Sequence, residues 1–178
     1  MTKKQECATI NFMKNIILIG MPGCGKSTIG VVLAKHMGYH FIDADLLIQE
    51  REGRILSEII DQDGLEAFNR IEEEVNASIQ ANKAVIATGG SVIYGKRAME
   101  HLRSIGTVVY IRLPYAEIES RLGDLTERGV SVQDNQSLRD LYEERTPLYE
   151  KYAHVTVDTE GLELRESVVA VKEAVLKR

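Results

Sequence analysis

A chain of 178 residues is long enough for one domain with a single core and too short for two full domains. Hydrophobic residues make up 44% of the chain and charged residues 28%, a globular composition that argues against bulk disorder. The net charge of −5, with no run of Lys and Arg, argues against nucleic acid as a general partner.

The N-terminal residues 1–12 have little periodicity, and we expect them to form a flexible tail. The apolar run after them, "IILI", is far too short to span a bilayer, and a glycine turn follows it where a signal peptide would have its cleavage site. The two cysteines, Cys7 and Cys24, suit a reducing compartment better than a disulfide framework. We therefore expect a cytoplasmic protein with no membrane contact.

Short β-rich runs then alternate with helical patterns to the end of the chain. Five strands are predicted, at "NIILIG", "HFID", "AVIATG", "TVVYIRL" and "HVTVD". Helical spacing is found in "STIGVVLAKHM", "LLIQERE", "LEAFNRIEEEVNASIQ", "RAMEHLRSI", "AEIESRL", "SLRDLYEERTPLYEKYA" and "ELRESVVAVKEAVLKR". This alternation predicts a single α/β domain with a five-stranded parallel sheet between two layers of helices. Ligands of such sheets bind beyond the carboxyl ends of the strands.

A phosphate-binding pattern, "GMPGCGKST", follows the first predicted strand and opens the first predicted helix. Its glycines let successive backbone N–H groups point inward, and the helix adds its positive end, so the turn can hold a triphosphate. Lys26 would reach the β and γ phosphates, and Ser27 would ligate Mg²⁺. A glycine-rich helix start without a ligand is the alternative. The predicted nucleotide contacts in this turn are Gly23, Cys24, Gly25, Lys26, Ser27 and Thr28.

Two carboxylates, Asp43 and Asp45, follow the second predicted strand. In extended geometry their side chains would point to opposite faces and could serve different roles. One could hold the water shell of Mg²⁺ and the other could orient or deprotonate an acceptor hydroxyl. The alternative for Asp45 is that it caps the following helix.

The glycines and arginines further along the chain are weaker signals. Gly89 and Gly90 would let a small molecule approach the backbone closely, or they could form a tight turn without a ligand. Arg121, Arg128 and Arg145 could each capture a carboxylate or phosphate, or could be solvated surface residues. We expect Pro147 to disturb the helix that contains Arg145. The polar segment 123–136 is long for a loop, which is typical of a functional flap or a disordered insert.

Together, these motifs resemble the shikimate kinase family from about Ile16 to Asp158. The resemblance rests on "GMPGCGKST", "FIDAD", "REGRILSEII", "DGLEAFNRIEEEV", "ATGGSV", the Arg128 segment and "LYEERTPLYEKYA", in that order. It implies the fold of P-loop nucleoside monophosphate kinases with a mobile lid over about 123–136. It also implies ATP-dependent transfer to a hydroxyl of a small cyclic acid, most directly shikimate to shikimate 3-phosphate in aromatic amino acid biosynthesis.

The resemblance also assigns roles to individual residues. Lys26, Asp45 and Arg128 would be catalytic, Asp43 would hold metal-bound water, and Arg121 would lie over the adenine. Gly89 and Gly90 would line the acceptor pocket. Arg145 would pair with the acceptor carboxylate, and residue 69 would lie near that carboxylate as another substrate-binding position. The implied cofactors are ATP and Mg²⁺, and the implied partner is a small-molecule acceptor substrate. The protein itself is expected to be a monomer.

Three departures from the family pattern affect the acceptor half. Asn69 stands where the family has an Arg that helps bind the substrate carboxylate, and Arg70 cannot substitute because one helical step turns a side chain by about 100°. A lost charge-assisted hydrogen bond costs about 1.5–3 kcal/mol, one to two orders of magnitude in shikimate affinity. The usual three glycines are two, Gly89 and Gly90, and Gly129 replaces the Pro that usually follows the flap Arg. A different hydroxy acid or polyol, or a non-catalytic nucleotide-binding role, therefore stays open.

Overall fold

The structure, a computed structural model, describes residues 15–122 and 136–177. The predicted tail at 1–12 lies outside these residues, as does the predicted lid except for Gln136. In chain order the elements are β1 (Asn15–Ile19), α1 (Lys26–Met37), β2 (His40–Asp43), α2 (Ala44–Glu52), α3 (Leu56–Asp63), α4 (Leu65–Ser78), β3 (Ala84–Ala87), a 3-10 turn (Val92–Tyr94), α5 (Lys96–Ile105), β4 (Gly106–Arg112), α6 (Tyr115–Leu122), α7 (Leu138–Tyr152), β5 (Val155–Asp158) and α8 (Leu164–Leu176).

The five strands form one parallel sheet in the order β2-β3-β1-β4-β5. This confirms the predicted α/β fold with its five-stranded parallel sheet. The central strand β1 is fully buried from Ile16 to Ile19 because β3 and β4 flank it and helices cover the sheet. Among these helices, α1 packs against α8, and α5 packs against α4.

Because all the strands run in the same direction, their carboxyl ends meet at one edge of the sheet. That edge carries the turn after β1, Asp43 at the end of β2 and Thr88 just after β3. The Thr88 amide continues the pairing by donating to the Leu18 carbonyl at 3.2 Å, and its hydroxyl donates to the same oxygen at 3.0 Å. The phosphate-binding turn and the Gly89–Gly90 segment are therefore fixed side by side.

Two local features differ from the sequence-based expectation. The segment "LSEIIDQD" forms a separate helix, α3, whose Ile59 packs with Ile48, Phe68 and Val75 in a small second core. This core lies beside the site because Phe68 also lines the main cavity. The second difference is α7, which continues through Pro147 as one helix. Pro147 has no backbone N–H to donate to the carbonyl oxygen of Glu143. Because Glu143 is exposed, water can donate a hydrogen bond to that oxygen instead.

Of the described helices, none combines the length and the apolar character that a bilayer crossing requires.

The pairing of β1 with β4 predicts that Gly106→Ala destabilises the fold. A Cβ at Gly106 would overlap the Asn15 carbonyl and lie 2.5 Å from Ile17 Cδ1. Overpacking of this kind costs about 1–3 kcal/mol, which urea denaturation would measure. Gly161→Asn is the control, since Gly161 has open space around it and Asn tolerates its φ of 66°. Equal stability of the two variants would contradict the close β1–β4 approach.

Candidate active site

The turn between β1 and α1 needs its glycines. Gly20, Gly23 and Gly25 have φ angles of 147°, 77° and 97°, which side chains rarely adopt. A Cβ at Gly20 would also lie 2.7 Å from the carbonyl oxygen of Ile111 on β4. These angles wrap the turn over the N-terminus of α1, as an anion cradle requires.

Lys26 lies under this turn and is only 8% exposed. Its ammonium donates to the carbonyl oxygens of Gly20 at 2.9 Å and Met21 at 3.0 Å. The charge is therefore held at the turn, and the same side chain lines the main cavity beside it. The buried Sγ of Cys24 lies 3.9 Å from the ammonium, and Cys24 is a free thiol.

A hydroxyl and a carboxylate meet at the start of α1. Ser27 Oγ donates to Asp43 Oδ2 at 2.7 Å, and Asp43 Oδ1 accepts from the backbone N–H of Asp45 at 3.0 Å. Asp43 is thus the N-cap of α2, so the capping alternative for Asp45 is wrong. The opposite-face argument also fails for Asp45, because β2 ends at Asp43 and Asp45 is helical. The Ser27 hydroxyl and the Asp43 carboxylate suit Mg²⁺, which takes few protein ligands and favours hard oxygen donors.

A cavity of about 360 Å³ opens beside the phosphate-binding turn and brings most of the predicted site together. It combines residues from the turn, the starts of α1, α2 and α3, α4, the segment after β3, the end of α6, and α7. Its lining consists of Pro22, Gly23, Gly25, Lys26, Ser27, Thr28, Asp45, Leu56, Phe68, Glu72, Thr88, Gly89, Gly90, Ser91, Leu122 and Arg145.

Gly89 and Gly90 are required by close approach. Neither has a positive φ, so a left-handed tight turn does not explain them. A Cβ at Gly89 would overlap Glu72 Oε1 and lie 2.9 Å from Asp45 Oδ1. A Cβ at Gly90 would lie 2.8 Å from Pro22 Cδ and 3.1 Å from Arg145 Nη1. Gly89 therefore lets two carboxylates approach the backbone, and Gly90 lets the Pro22 ring and the Arg145 guanidinium approach it.

Arg145 is buried, at 1% exposure, which rules out the surface alternative for this residue. Its Nε donates to the hydroxyl of Tyr94 at 3.2 Å, and that hydroxyl donates to Glu144 Oε1 at 2.5 Å. On the next turn of α7, the Tyr149 hydroxyl donates to the Gly90 carbonyl at 2.6 Å. The guanidinium is thus fixed at the cavity wall, where it can pair with an acidic ligand.

Glu72 is a site residue that the sequence reasoning missed. It stands in the run "EEE", which is typical of a solvated helix face, yet it is 1% exposed. The signal was its spacing: Glu72 is one helical turn after the buried Phe68 and four residues before the buried Asn76, so all three share a face. Its Oε1 has no hydrogen-bond partner among the described residues. Ser91, also missed, is buried and lines the same cavity as Glu72.

The comparisons with known proteins agree with this geometry. The family model described as "Shikimate kinase" matches residues 22–176. The chain belongs to the shikimate kinase family. A shikimate kinase of Thermodesulfovibrio yellowstonii is 38% identical, with 88% of this chain and 94% of the relative aligned. One of Mycobacterium avium is 40% identical over 80% of this chain and 82% of the relative.

Solved structures of the family have the same fold. The Acinetobacter baumannii shikimate kinase in complex with shikimate superposes with a TM-score of 0.84 at 32% identity, covering 93% of this chain and 94% of that one. The Aquifex aeolicus shikimate kinase gives 0.76 at 32% identity, covering 91% and 94%. The family resemblance predicted from the motifs is confirmed, as is an ATP-dependent kinase activity that uses Mg²⁺.

Two further predicted site residues, Cys24 and Arg121, lie at a second cleft. Arg121 pairs with Glu117 at 2.8 Å and lines this cleft, of about 430 Å³, which shares Gly23, Gly25 and Thr28 with the first. Cys24 also lines this cleft. Two clefts that meet at the phosphate-binding turn suit a nucleotide on one side and its acceptor on the other. Arg128 lies outside the described residues.

Asn69, at the departure from the family pattern, does not line the main cavity. It faces a neighbouring cavity of about 250 Å³ that shares Arg145 with the main one. Arg70 is exposed and pairs with Glu66 at 3.0 Å, so it does not replace the missing guanidinium. Arg145 is therefore the one arginine among the described residues that lines the main cavity.

Burial shifts the titration of both cavity carboxylates. It raises the pKa of Asp45 to about 6; the charge of Asp43 adds to this rise and Lys26 opposes it. Burial also raises the pKa of Glu72 to about 7, with the hydrogen bond from Ser91 the largest opposing effect. Asp45 raises the pKa of Glu72 further, and Arg145 and Lys26 lower it. The two groups disfavour each other's charge.

This shift predicts how Glu72→Gln affects stability. The ordinary pKa of 4.5 rises to about 7 in the fold, so the contribution of Glu72 to the free energy of unfolding falls as pH rises from 4.5 to 7. We expect the variant to be more stable than wild type by up to about 3 kcal/mol at pH 8 and by under about 1 kcal/mol at pH 5.

Denaturant unfolding at the two pH values would measure this difference. Glu66→Gln is the matched control on the same helix, because Glu66 is 92% exposed and its pairing with Arg70 contributes little. A gain that is equal at both pH values would contradict a buried, ionising Glu72.

Proposed function

We propose that this chain transfers the γ-phosphoryl group of ATP to a hydroxyl group of shikimate, giving shikimate 3-phosphate. One observation carries the proposal: the phosphate-binding turn, the carboxylate of Asp45 and the buried guanidinium of Arg145 line the same cavity. These are the three groups that a phosphoryl donor, an acceptor hydroxyl and an acceptor carboxylate require. Family membership supports the same reaction.

The donor side uses the turn and its two neighbours. Backbone N–H groups of the turn and the Lys26 ammonium would hold the β and γ phosphates, while Arg121 would contact the nucleoside in the second cleft. Ser27 and Asp43 would hold Mg²⁺, the aspartate through water, since their oxygens lie 2.7 Å apart. Bound Mg²⁺ neutralises charge on the transferring phosphates.

The acceptor side uses two opposite charges that line the same cavity. Arg145 would pair with the carboxylate of shikimate, which orients the ring. Asp45 Oδ1 is buried and has no hydrogen-bond partner among the described residues, so it can accept the bond or the proton of the attacking hydroxyl. Gly89 and Gly90 keep the backbone close to the ring. Fixed positions of this kind account for much of the catalysis of phosphoryl transfer.

We propose three further features of the working enzyme. Residues 1–178 act as one domain. Within it, segment 123–136 closes over the site as a lid and excludes water, which limits loss of phosphate to hydrolysis. Arg128 stabilises the transferring group. The enzyme acts as a monomer, and light scattering tests this. It acts in the cytoplasm, where ATP is available.

A panel of acceptors tests the function. With Mg²⁺ and ATP, shikimate is expected to stimulate ADP release above that from other hydroxy acids and polyols. Lys26→Ala should lower kcat by about 10²–10³-fold, since it removes a preorganised charge from the phosphates. Lys35→Ala, an exposed lysine on the same helix, is the control and should retain wild-type activity.

The panel also distinguishes the alternatives. Turnover of another hydroxy acid but not of shikimate would assign a different acceptor. ATP binding without stimulation by any acceptor would indicate a non-catalytic relative.

The Asn69 departure gives a second prediction. Asn69→Arg is expected to lower the KM for shikimate by about 10–100-fold, because it adds a second cation beside Arg145 for the substrate carboxylate. The KM for ATP should not change. Asn82→Arg adds the same charge at an exposed position and serves as the control. An unchanged KM for shikimate in Asn69→Arg would place the acceptor carboxylate elsewhere.

A further inference from the structure

Tyr94, the last residue of the 3-10 turn, links the cavity cation Arg145 to the carboxylate of Glu144. Its hydroxyl accepts a hydrogen bond from Arg145 Nε at 3.2 Å and donates one to Glu144 Oε1 at 2.5 Å. Burial and the bond to Glu144 raise the pKa of Tyr94, so the hydroxyl keeps its proton and makes both bonds at once.

The carboxylate at the far end of this chain of hydrogen bonds is itself held. Glu144 Oε2 accepts from the side-chain amide of Gln136 at 2.6 Å, while Glu144 Oε1 accepts from Tyr94. Because the proton of the Tyr94 hydroxyl must point at a fixed oxygen, its lone pairs face a defined direction, which is that of Arg145 Nε.

A bond at Nε sets the orientation of the whole guanidinium, because this group is planar and holds its N–H donors in one rigid fork. The Tyr94 ring supports the same group, with its centroid 5.3 Å from the guanidinium carbon. At the other end of the fork, Arg145 Nη1 lies beside Gly90 in the lining of the main cavity. Tyr94 therefore holds the side of the guanidinium that is turned away from Gly90.

The orientation of Arg145 has particular weight in this chain. Asn69 stands where the family pattern has a second Arg, and Tyr94 lines the same 250 Å³ cavity as Asn69 and Arg145. A carboxylate in the main cavity would then depend on one guanidinium. Ordering a long side chain during binding costs about 0.5–1.5 kcal/mol, and an arginine that is already oriented avoids that cost.

We infer that Tyr94 is a positioning residue whose hydroxyl holds the Arg145 guanidinium ready for the acceptor carboxylate and so makes the site selective for acidic over neutral acceptors. This inference rests on the proposed function and deepens it. Tyr94 is not part of the main cavity lining, so its effect on the acceptor passes through Arg145.

The Tyr94→Phe variant tests the inference, because it removes the hydroxyl and keeps the ring. The KM for shikimate should rise about fivefold, the effect of one net hydrogen bond, with kcat within about twofold of wild type and the KM for ATP unchanged. Tyr115→Phe is the matched control, since the Tyr115 hydroxyl also donates to a carboxylate, that of Glu119, at 2.7 Å. It should leave all three constants at their wild-type values.

A neutral competitor separates positioning from a structural role. The methyl ester of shikimate lacks the carboxylate charge, and its inhibition constant against shikimate should agree within about twofold between wild type and Tyr94→Phe. Only the charged acceptor should lose affinity, because Arg145 acts on the charge.

An unchanged KM for shikimate in Tyr94→Phe would overturn the inference. So would an equal weakening of the ester, or a raised KM for ATP, either of which would indicate a general structural role of Tyr94. Failure of the proposed function is seen in wild type alone, as protein that binds ATP without phosphorylating shikimate, and that result would overturn this inference as well.

Discussion

The parallel pairing of β1 with β3 on one side and β4 on the other is the constraint on which the site depends. It fixes the phosphate-binding turn between the Thr88–Gly90 segment and Ile111, with no room for a side chain at Gly20. Because β1 is buried on both faces, the turn begins from a rigid support. Precise positioning is what phosphoryl transfer asks of a protein, since the reaction needs little covalent chemistry from it.

The cavity concentrates buried charges of both signs. Lys26 and Arg145 supply two cations, and Asp45 and Glu72 supply two carboxylates. Burial of isolated charges would be strongly unfavourable, and their mutual proximity offsets part of that cost. The remaining cost is visible in the raised pKa values of both acids and in their unpartnered oxygens. Unfavourable buried charges of this kind are retained in functional sites, where bound substrates can pair with them.

The nucleotide half of the site was predictable from sequence because its determinants are local. The phosphate-binding turn follows from glycine conformations and a helix start, which are properties of adjacent residues. The acceptor half was less predictable. Glu72 looked like part of a solvated acidic run, Arg145 looked as much a surface residue as a ligand, and the extended geometry assumed for Asp45 gave way to a helix that Asp43 caps.

By itself, the sequence determined the five strands, the parallel α/β fold, the phosphate-binding turn and the family, because periodicity, glycine placement and motif order are written in neighbouring residues. Tertiary structure alone decided that Glu72 and Ser91 line the same cavity as the predicted residues. Glu72, Ser91 and Arg145 come from α4, the segment after β3 and α7, and no local pattern states that they meet. Their roles depend on burial, and burial is set by helices and strands that pack from distant parts of the chain.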